Sequence, residues 1–147
     1  MPDLMKSTKV FSLRLPQAKA QRLSRLARRL GRTVSETGAM LVDEGLRRAD
    51  FSFIDFRDST LGRQAYVQGS SLAVWEVCAL AEQYGGDLKK TAEHLEWTQL
   101  KVQAAVNYAK AFPDDIKALI EENEEFGFDR ISDLLPQAEV FRTPRRR

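Results

Sequence analysis

Residue types that catalyse reactions or bind metals are scarce in this sequence. It contains one cysteine, Cys78, and one histidine, His94, among 147 residues. A Cys/His zinc site needs three or four such ligands, and a histidine-based catalytic pair needs a nucleophile beside the imidazole, so one chain offers neither. Asp114 and Asp115 are the remaining candidates for holding a metal, as in a nuclease or transferase, but they lie among further acids, as on a solvated helix face. We therefore expect no enzyme, no metal site and no cofactor.

The length suits one compact domain or two small ones, and 43% hydrophobic with 30% charged residues is typical of a folded chain. A single cysteine excludes an intramolecular disulfide. No apolar run approaches the roughly 18 residues of a membrane span, and residues 1–9 lack the apolar core of a signal peptide. We therefore expect a cytoplasmic protein with no membrane partner.

The charge is unevenly distributed along the chain. Residues 1–50 hold eleven basic and five acidic residues, a net charge of +6, while the remainder holds twelve basic and sixteen acidic residues, a net charge of −4. A basic module beside an acidic one predicts polyanion binding by the first and another task for the second. We divide the chain into domains at 1–50, 51–112 and 113–147.

Residues 9–15 alternate in a way that predicts a half-buried strand. One face carries Phe11, Leu13 and Leu15, and the other carries Val10, Ser12 and Arg14. An outward arginine can donate two hydrogen bonds to guanine, serine can donate or accept, and valine can touch a thymine methyl or simply pack. The alternative from pattern alone is an edge strand beside a solvated basic helix.

Two helices are predicted after this segment. Pro16 suits the first turn of a helix, and apolar residues at three- and four-residue spacing predict that helix over residues 17–30. Gly31 supplies a left-handed stop, and the Thr33-Val-Ser-Glu36 spacing of a capping box predicts a second helix from Val34 to about Arg48. A lone strand with two helices cannot bury its apolar face by itself, so a second copy is needed.

Residues 8–48 resemble the ribbon-helix-helix family of DNA-binding proteins, which includes the Arc, MetJ and CopG repressors. The resemblance implies a homodimer, with any further assembly on DNA left open, whose paired strands enter the major groove of operator DNA. It implies base contacts by Val10, Ser12 and Arg14 and a dimer core of Phe11, Leu13 and Leu15. It also implies phosphate binding at the start of the second helix by Arg32, Thr33, Val34 and Ser35.

The middle of the chain predicts a small helical domain. Residues 57–63 have the polar run of a loop, and residues 65–67 suit a short strand. Helices are expected from Leu72 to Tyr84, from a cap at Asp87 to about His94, and from a start at Thr98 or Trp97 to about Phe112. The last two helices and their turn have the order of a helix-turn-helix. DNA contact there is an alternative, although its few lysines are interspersed with Glu93 and Glu96.

Residues 54–112 resemble a small antitoxin domain catalogued as domain of unknown function 433, related to VapB-type antitoxins. The typical signature is a Gly-Arg-Pro-x-Ile-x-Gly-Thr-Arg-Ile-x-Val run, a helix, a glycine-rich stop and a final helix ending in Ala-x-x-Tyr-Ala. This chain has Gly62-Arg-Gln-Ala-Tyr-Val-Gln-Gly69-Ser-Ser-Leu-Ala-Val74, then Gly85-Gly86, then Val102-Gln-Ala-Ala-Val-Asn-Tyr108-Ala109. Gln64, Ser70 and Ser71 replace the proline and the Thr-Arg pair. The resemblance implies a PIN-like ribonuclease toxin as partner.

The C-terminal segment from residue 113 predicts an acidic amphipathic helix followed by a basic tail that includes Arg142 and residues 145–147. Its apolar residues, with few neighbours left to bury them, are Ile116, Leu119, Ile120, Phe126, Phe128, Ile131, Leu134 and Leu135. Type II antitoxins commonly wrap a toxin with such a segment, so we expect residues 114–142 to bind the toxin. The alternative is that these side chains pack back on the domain or across the dimer.

Together these patterns predict a mainly α fold: an N-terminal ribbon-helix-helix unit of one strand and two helices, a small helix-turn-helix-like domain and an acidic C-terminal helix. The expected function is a type II antitoxin that represses its own operon as a dimer and neutralises a toxin. The alternative is a stand-alone ribbon-helix-helix regulator without a toxin, whose C-terminal segment is solvated or packs on the protein itself.

Overall fold

The computed structural model describes residues 7–60 and 62–134, with side chains as far as residue 124. The chain forms two compact units, Met1–Gly45 and Leu46–Arg147. The first unit contains a helical hairpin, and the second contains a two-stranded sheet and four helices.

Helices α1 (Gln17–Leu30) and α2 (Val34–Asp50) begin and end where local signals place them. Gly31 adopts φ 64°, and its left-handed conformation allows the N–H of Arg32 to reach the carbonyl of Ala27 at 2.9 Å. Three residues separate the helices, and α2 continues from the first unit into the second. The described residues of the first unit bury only Ala27, Thr37 and Glu44.

The predicted N-terminal strand is wrong, because the sheet follows the two helices instead of preceding them. Residues 7–16 have no regular secondary structure, and all of them are exposed. A strand is stabilised by ladder hydrogen bonds to a neighbour, and the alternation at residues 9–15 indicates two faces without supplying that neighbour.

The sheet is an antiparallel hairpin of β1 (Ile54–Ser59) and β2 (Gly62–Val67). The loop predicted over residues 57–63 is therefore mostly strand. Its polar residues are accommodated because Asp58 and Arg63 are cross-strand partners and form a 3.2 Å ion pair. Ile54 and Val67, paired at the other end, are both buried.

Four helices follow: α3 (Val74–Gln83), α4 (Leu88–Leu95), α5 (Gln99–Ala111) and α6 (Pro113–Leu134). The predicted caps are present, since the side chain of Asp87 accepts from the N–H of Lys90 at 3.0 Å and that of Thr98 from the N–H of Lys101 at 3.3 Å. Helix α5 packs on α3 and α4, and α6 packs on α3 and α5.

The core of the second unit combines the sheet with all four of these helices. Its fully buried residues include Val67 of β2, Val74 and Val77 of α3, and Val102 and Ala105 of α5. Tyr108 is also buried, with edge-to-face contacts to Phe51 and Phe56 at centroid distances of 5.6 and 6.3 Å. This core gives α5 one fixed inner face.

Arg47, near the end of α2, belongs to the second unit. Its Nη1 donates to the hydroxyl of Tyr108 at 2.8 Å and to Oδ2 of Asp115 at 2.9 Å. Its guanidinium carbon lies 3.7 Å from the ring centroid of Phe112. One side chain therefore joins the end of α2 to α5, to the α5–α6 junction and to α6.

We expect Val102→Ala to lower the free energy of unfolding by about 2 kcal/mol, because it removes two carbons from a fully packed site and leaves a cavity. Leu100→Ala, on the same helix, removes three carbons but should change this free energy by less than about 0.5 kcal/mol, since Leu100 is 68% exposed. Urea unfolding, followed by the fluorescence of Trp75 and Trp97, measures both variants at one protein concentration. Equal shifts of the midpoint would contradict the assigned packing of α5.

Candidate functional site

The predicted base-reading residues Val10, Ser12 and Arg14 lie in the irregular segment before α1, and all three are exposed. The predicted dimer-core residues occupy the same segment and are exposed as well, Phe11 at 78%, Leu13 at 76% and Leu15 at 45%. In the described chain, therefore, the base-reading residues and the dimer-core residues are both exposed, and neither set forms a buried face. Both remain available to a second molecule.

An open groove of about 800 Å³ lies within the first unit. Apolar side chains from three parts of that unit line it, namely Leu13 and Leu15, Leu23 and Leu26 of α1, and Leu41 and Val42 of α2. Basic side chains of α1 also line it: Lys19, Arg22, Arg25 and Arg29. Leu13, Leu15, Leu41 and Val42 in this lining remain exposed, so the groove has the character of an interface.

The predicted phosphate site at the start of α2 has a defined geometry. The N–H of Thr33 donates to Oε2 of Glu36 at 3.0 Å, and the N–H of Glu36 donates to Oγ1 of Thr33 at 3.1 Å. This capping box confirms the predicted helix start. The N–H groups of Val34 and Ser35 have no hydrogen-bond partner among the described residues, and Arg32 is exposed beside them. A phosphate bound there would therefore contact two backbone amides and one guanidinium, while the negative charge of the Glu36 carboxylate would repel it.

The first unit contains a long segment whose charged residues are all basic. From residue 9 to residue 35 the chain has eight basic residues and no acidic one. All eight are exposed: Lys9, Arg14, Lys19, Arg22, Arg25, Arg28, Arg29 and Arg32. Because no acidic residue lies between them in the chain, all eight charges have the same sign, which favours binding of a polyanion.

The predicted partner-binding residues of α6 differ in their accessibility. Ile116 is 6% exposed and belongs to the core of the second unit, and Ile120 is half-buried against that core. Leu119 is half-buried too. For Phe126, Phe128, Ile131 and Leu134 only the helical backbone is described, and Leu135 and the basic tail lie outside the described residues. The first turns of α6 thus use apolar side chains for the unit's own packing.

A second open groove, of about 850 Å³, lies between α3, α5 and α6. It is lined by Cys78, Val106 and Ile120 among others. Burial, assisted by the nearby charge of Glu82, raises the pKa of Cys78 to about 11. The thiol therefore stays protonated at neutral pH and is a poor nucleophile.

The remaining candidates for catalysis or metal binding are Asp114, Asp115 and His94. Asp115 is paired with Arg47, and Asp114 is exposed. His94 is exposed, and its Nδ1 lies 2.8 Å from the hydroxyl of Tyr84. Across residues 7–60 and 62–124, whose side chains the structure describes, no group of three histidine, cysteine or acidic side chains is placed to hold a metal ion.

The sequence patterns gave DNA contact by the α4–α5 pair as an alternative, but they did not single out the outer face of α5. Gln99, Gln103 and Asn107 recur there every four residues, with Lys110 one turn further. The side-chain N–H of Gln103 donates to Oδ1 of Asn107 at 2.7 Å. The available signal was the four-residue spacing of amides in a helix without an acidic residue.

No protein-family model matches this chain, and neither does any curated protein or solved structure. In the part of the chain that the structure describes, none of the helices has the length and apolar character needed to cross a membrane.

Proposed function

We propose that the protein is a homodimeric, DNA-binding antitoxin that represses its own operon and neutralises a PIN-like ribonuclease toxin in the cytoplasm. The observation that carries the proposal is the run of eight exposed basic residues in a unit that leaves its own apolar side chains unburied. The basic run favours duplex DNA, and the unburied side chains favour a second copy of the chain.

The proposed self-association is based on the apolar side chains that the first unit leaves exposed. Leu13, Leu41 and Val42 line its open groove while remaining exposed. Covering such side chains is favourable by about 25 cal/mol per Å² of apolar surface removed from water. A second copy presents the same side chains, so an isologous contact covers both sets at once.

DNA contact is assigned to two parts of the first unit. Ser12 and Arg14, with Val10, offer donors, acceptors and one apolar contact to base edges. Arg32 and the free amides of Val34 and Ser35 offer a phosphate site at the start of α2, which fixes orientation without reading sequence.

Toxin binding is assigned to the C-terminal part of α6 and the residues after it. Ile116 and Ile120 already pack on the core of the second unit, so the partner-binding set reduces to Leu119 and the apolar residues beyond residue 124. The toxin itself is suggested by the resemblance of residues 54–112 to an antitoxin domain.

The second candidate function is a stand-alone DNA-binding regulator without a toxin. The packing of Ile116 and Ile120 on the core favours it, because a self-packed C-terminal helix needs no partner to cover it. The two candidates share DNA binding and differ in whether a toxin is encoded beside this gene.

For self-association, we expect Leu13→Asp to convert the dimer to a monomer, because a carboxylate buried without a partner costs several kcal/mol. In an isolated chain the same change should be nearly neutral, since Leu13 is 76% exposed. Light scattering after size-exclusion chromatography measures the mass. Ser12→Asp places the same charge on the neighbouring residue and should stay dimeric. A dimeric Leu13→Asp variant would refute this interface.

For DNA binding, we expect Arg14→Ala to weaken binding to the duplex upstream of the gene by about 1 to 3 kcal/mol, with little change on random duplex. Arg14→Lys is the matched control, because it keeps the charge but loses the two-pronged hydrogen bond to guanine. Fluorescence anisotropy across a salt series measures both. Full recovery by lysine, or equal losses on both duplexes, would show that Arg14 contacts only phosphate.

For toxin neutralisation, we expect the protein of the adjacent reading frame to arrest growth alone and to be tolerated with the full chain. Removing residues 125–147 should abolish rescue while keeping DNA binding and the urea transition, since the cut spares Ile116 and Ile120. Rescue by the shortened chain would contradict the assigned toxin-binding segment. A harmless neighbour would favour the stand-alone regulator.

A further inference from the structure

The geometry of the second unit points to a further DNA-binding surface: we infer that the outer face of α5 binds duplex DNA in the major groove. This surface is separate from the residues assigned to DNA in the first unit. It concerns Gln99, Leu100, Gln103, Asn107 and Lys110, and it does not depend on a toxin.

The arrangement of α3, α4 and α5 presents α5 to solvent along its length. Helix α5 packs on both α3 and α4, and its inner face is buried through Val102, Ala105 and Tyr108. At about 100° per residue, the five outer residues occupy a sector of about 100° on the opposite side of the helix. Gln103 is half-exposed and the other four are exposed.

The turn between α4 and α5 is short and fixed. Only Glu96, Trp97 and Thr98 separate the helices, and Glu96 adopts φ 57°, a conformation that glycine normally supplies. The N–H of Trp97 reaches the carbonyl of Ala92 at 2.9 Å, and Thr98 caps α5. In DNA-binding helix-turn-helix proteins, a turn of similar length joins the two helices and the second helix enters the major groove.

The outer face has the chemistry that reads base edges. Glutamine and asparagine amides can each donate and accept, which matches the N6 and N7 edge of adenine. The bond from Gln103 to Asn107 uses one donor and one acceptor, leaving the Gln103 oxygen and the Asn107 amide hydrogens to engage a base. Leu100, 68% exposed, supplies an apolar contact of the kind that a thymine methyl accepts.

The charge near α5 complements a phosphate backbone. Helix α5 contains no acidic residue and two lysines, and exposed Lys89 and Lys90 lie in the first turn of α4. Over residues 88–111 four lysines face two glutamates, whereas α6 begins with Asp114 and Asp115. An acidic protein partner would be attracted too, but it would not need a row of amides. Duplex DNA accounts for both the charge and the amides.

The test compares two double variants of the full chain with equal added charge. Gln99→Glu with Gln103→Glu places two carboxylates on the outer face of α5, and Gln68→Glu with Gln83→Glu places two on exposed positions elsewhere in the second unit. Affinity is measured for the duplex directly upstream of the gene and for a random duplex of equal length. We expect the α5 variant to lose at least about fivefold on the upstream duplex, and the control to change by less than about twofold.

Urea transitions verify that both variants fold, and hydroxyl-radical footprints show which nucleotides lose their protection in the α5 variant. Equal affinity of the α5 variant and the control overturns the inference, because added charge alone then explains any change. If Arg14→Ala weakens binding and the α5 variant matches its control, the first unit is the only interface. If Arg14→Ala leaves binding unchanged and the α5 variant binds more weakly than its control, α5 is the interface and the proposed base-reading role of Arg14 is wrong. A wild-type chain that binds neither duplex overturns both.

Discussion

The first unit supplies more apolar side chains than its two helices can bury. Ala27 is the only apolar residue buried there among the described residues, while Phe11, Leu13 and Val42 are at least half-exposed. By itself such a hairpin buries little apolar surface to offset the conformational entropy lost on folding, and this is why we propose a second copy as its partner. Residues 7–16 take no regular structure, since no described residue of the chain pairs with them as a strand.

The second unit is organised in the opposite way, around a core that also fixes the end of α2. Arg47 combines a charge-assisted bond to Asp115, a bond to the hydroxyl of Tyr108 and a cation–π contact with Phe112. A guanidinium is suited to this role because its planar donors and its face act together. Helix α2 thus begins in a unit that buries few of its described residues and ends in one that has a buried core.

Features decided by neighbouring residues were predictable, whereas those decided by distant partners were not. The helix over residues 17–30, the stop at Gly31 and the caps at Thr33, Asp87 and Thr98 occur as predicted, because each needs only a few adjacent residues. The strand over residues 9–15 failed because a strand needs a partner. The hairpin at residues 54–67 was missed because the polar run becomes strand only through a cross-strand pair such as Asp58 with Arg63.

The candidate site divides in the same way between local and distant causes. The capping box at the start of α2 could be predicted from four adjacent residues, but the outer face of α5 could be identified only once the packed side of that helix was known.

The two proposed DNA-binding surfaces differ in how much conformational entropy they must lose in order to bind. The amides of α5 are held by a packed helix, with Gln103 and Asn107 already joined, so binding costs them little beyond their remaining rotamer freedom. The segment carrying Ser12 and Arg14 has no regular structure in one chain, and ordering it costs about 1 to 2 kcal/mol per residue. A second copy that covers Leu13 and Leu15 would offset part of that cost before DNA arrives. The proposal therefore couples base reading by the first unit to self-association, whereas it requires no such coupling for α5.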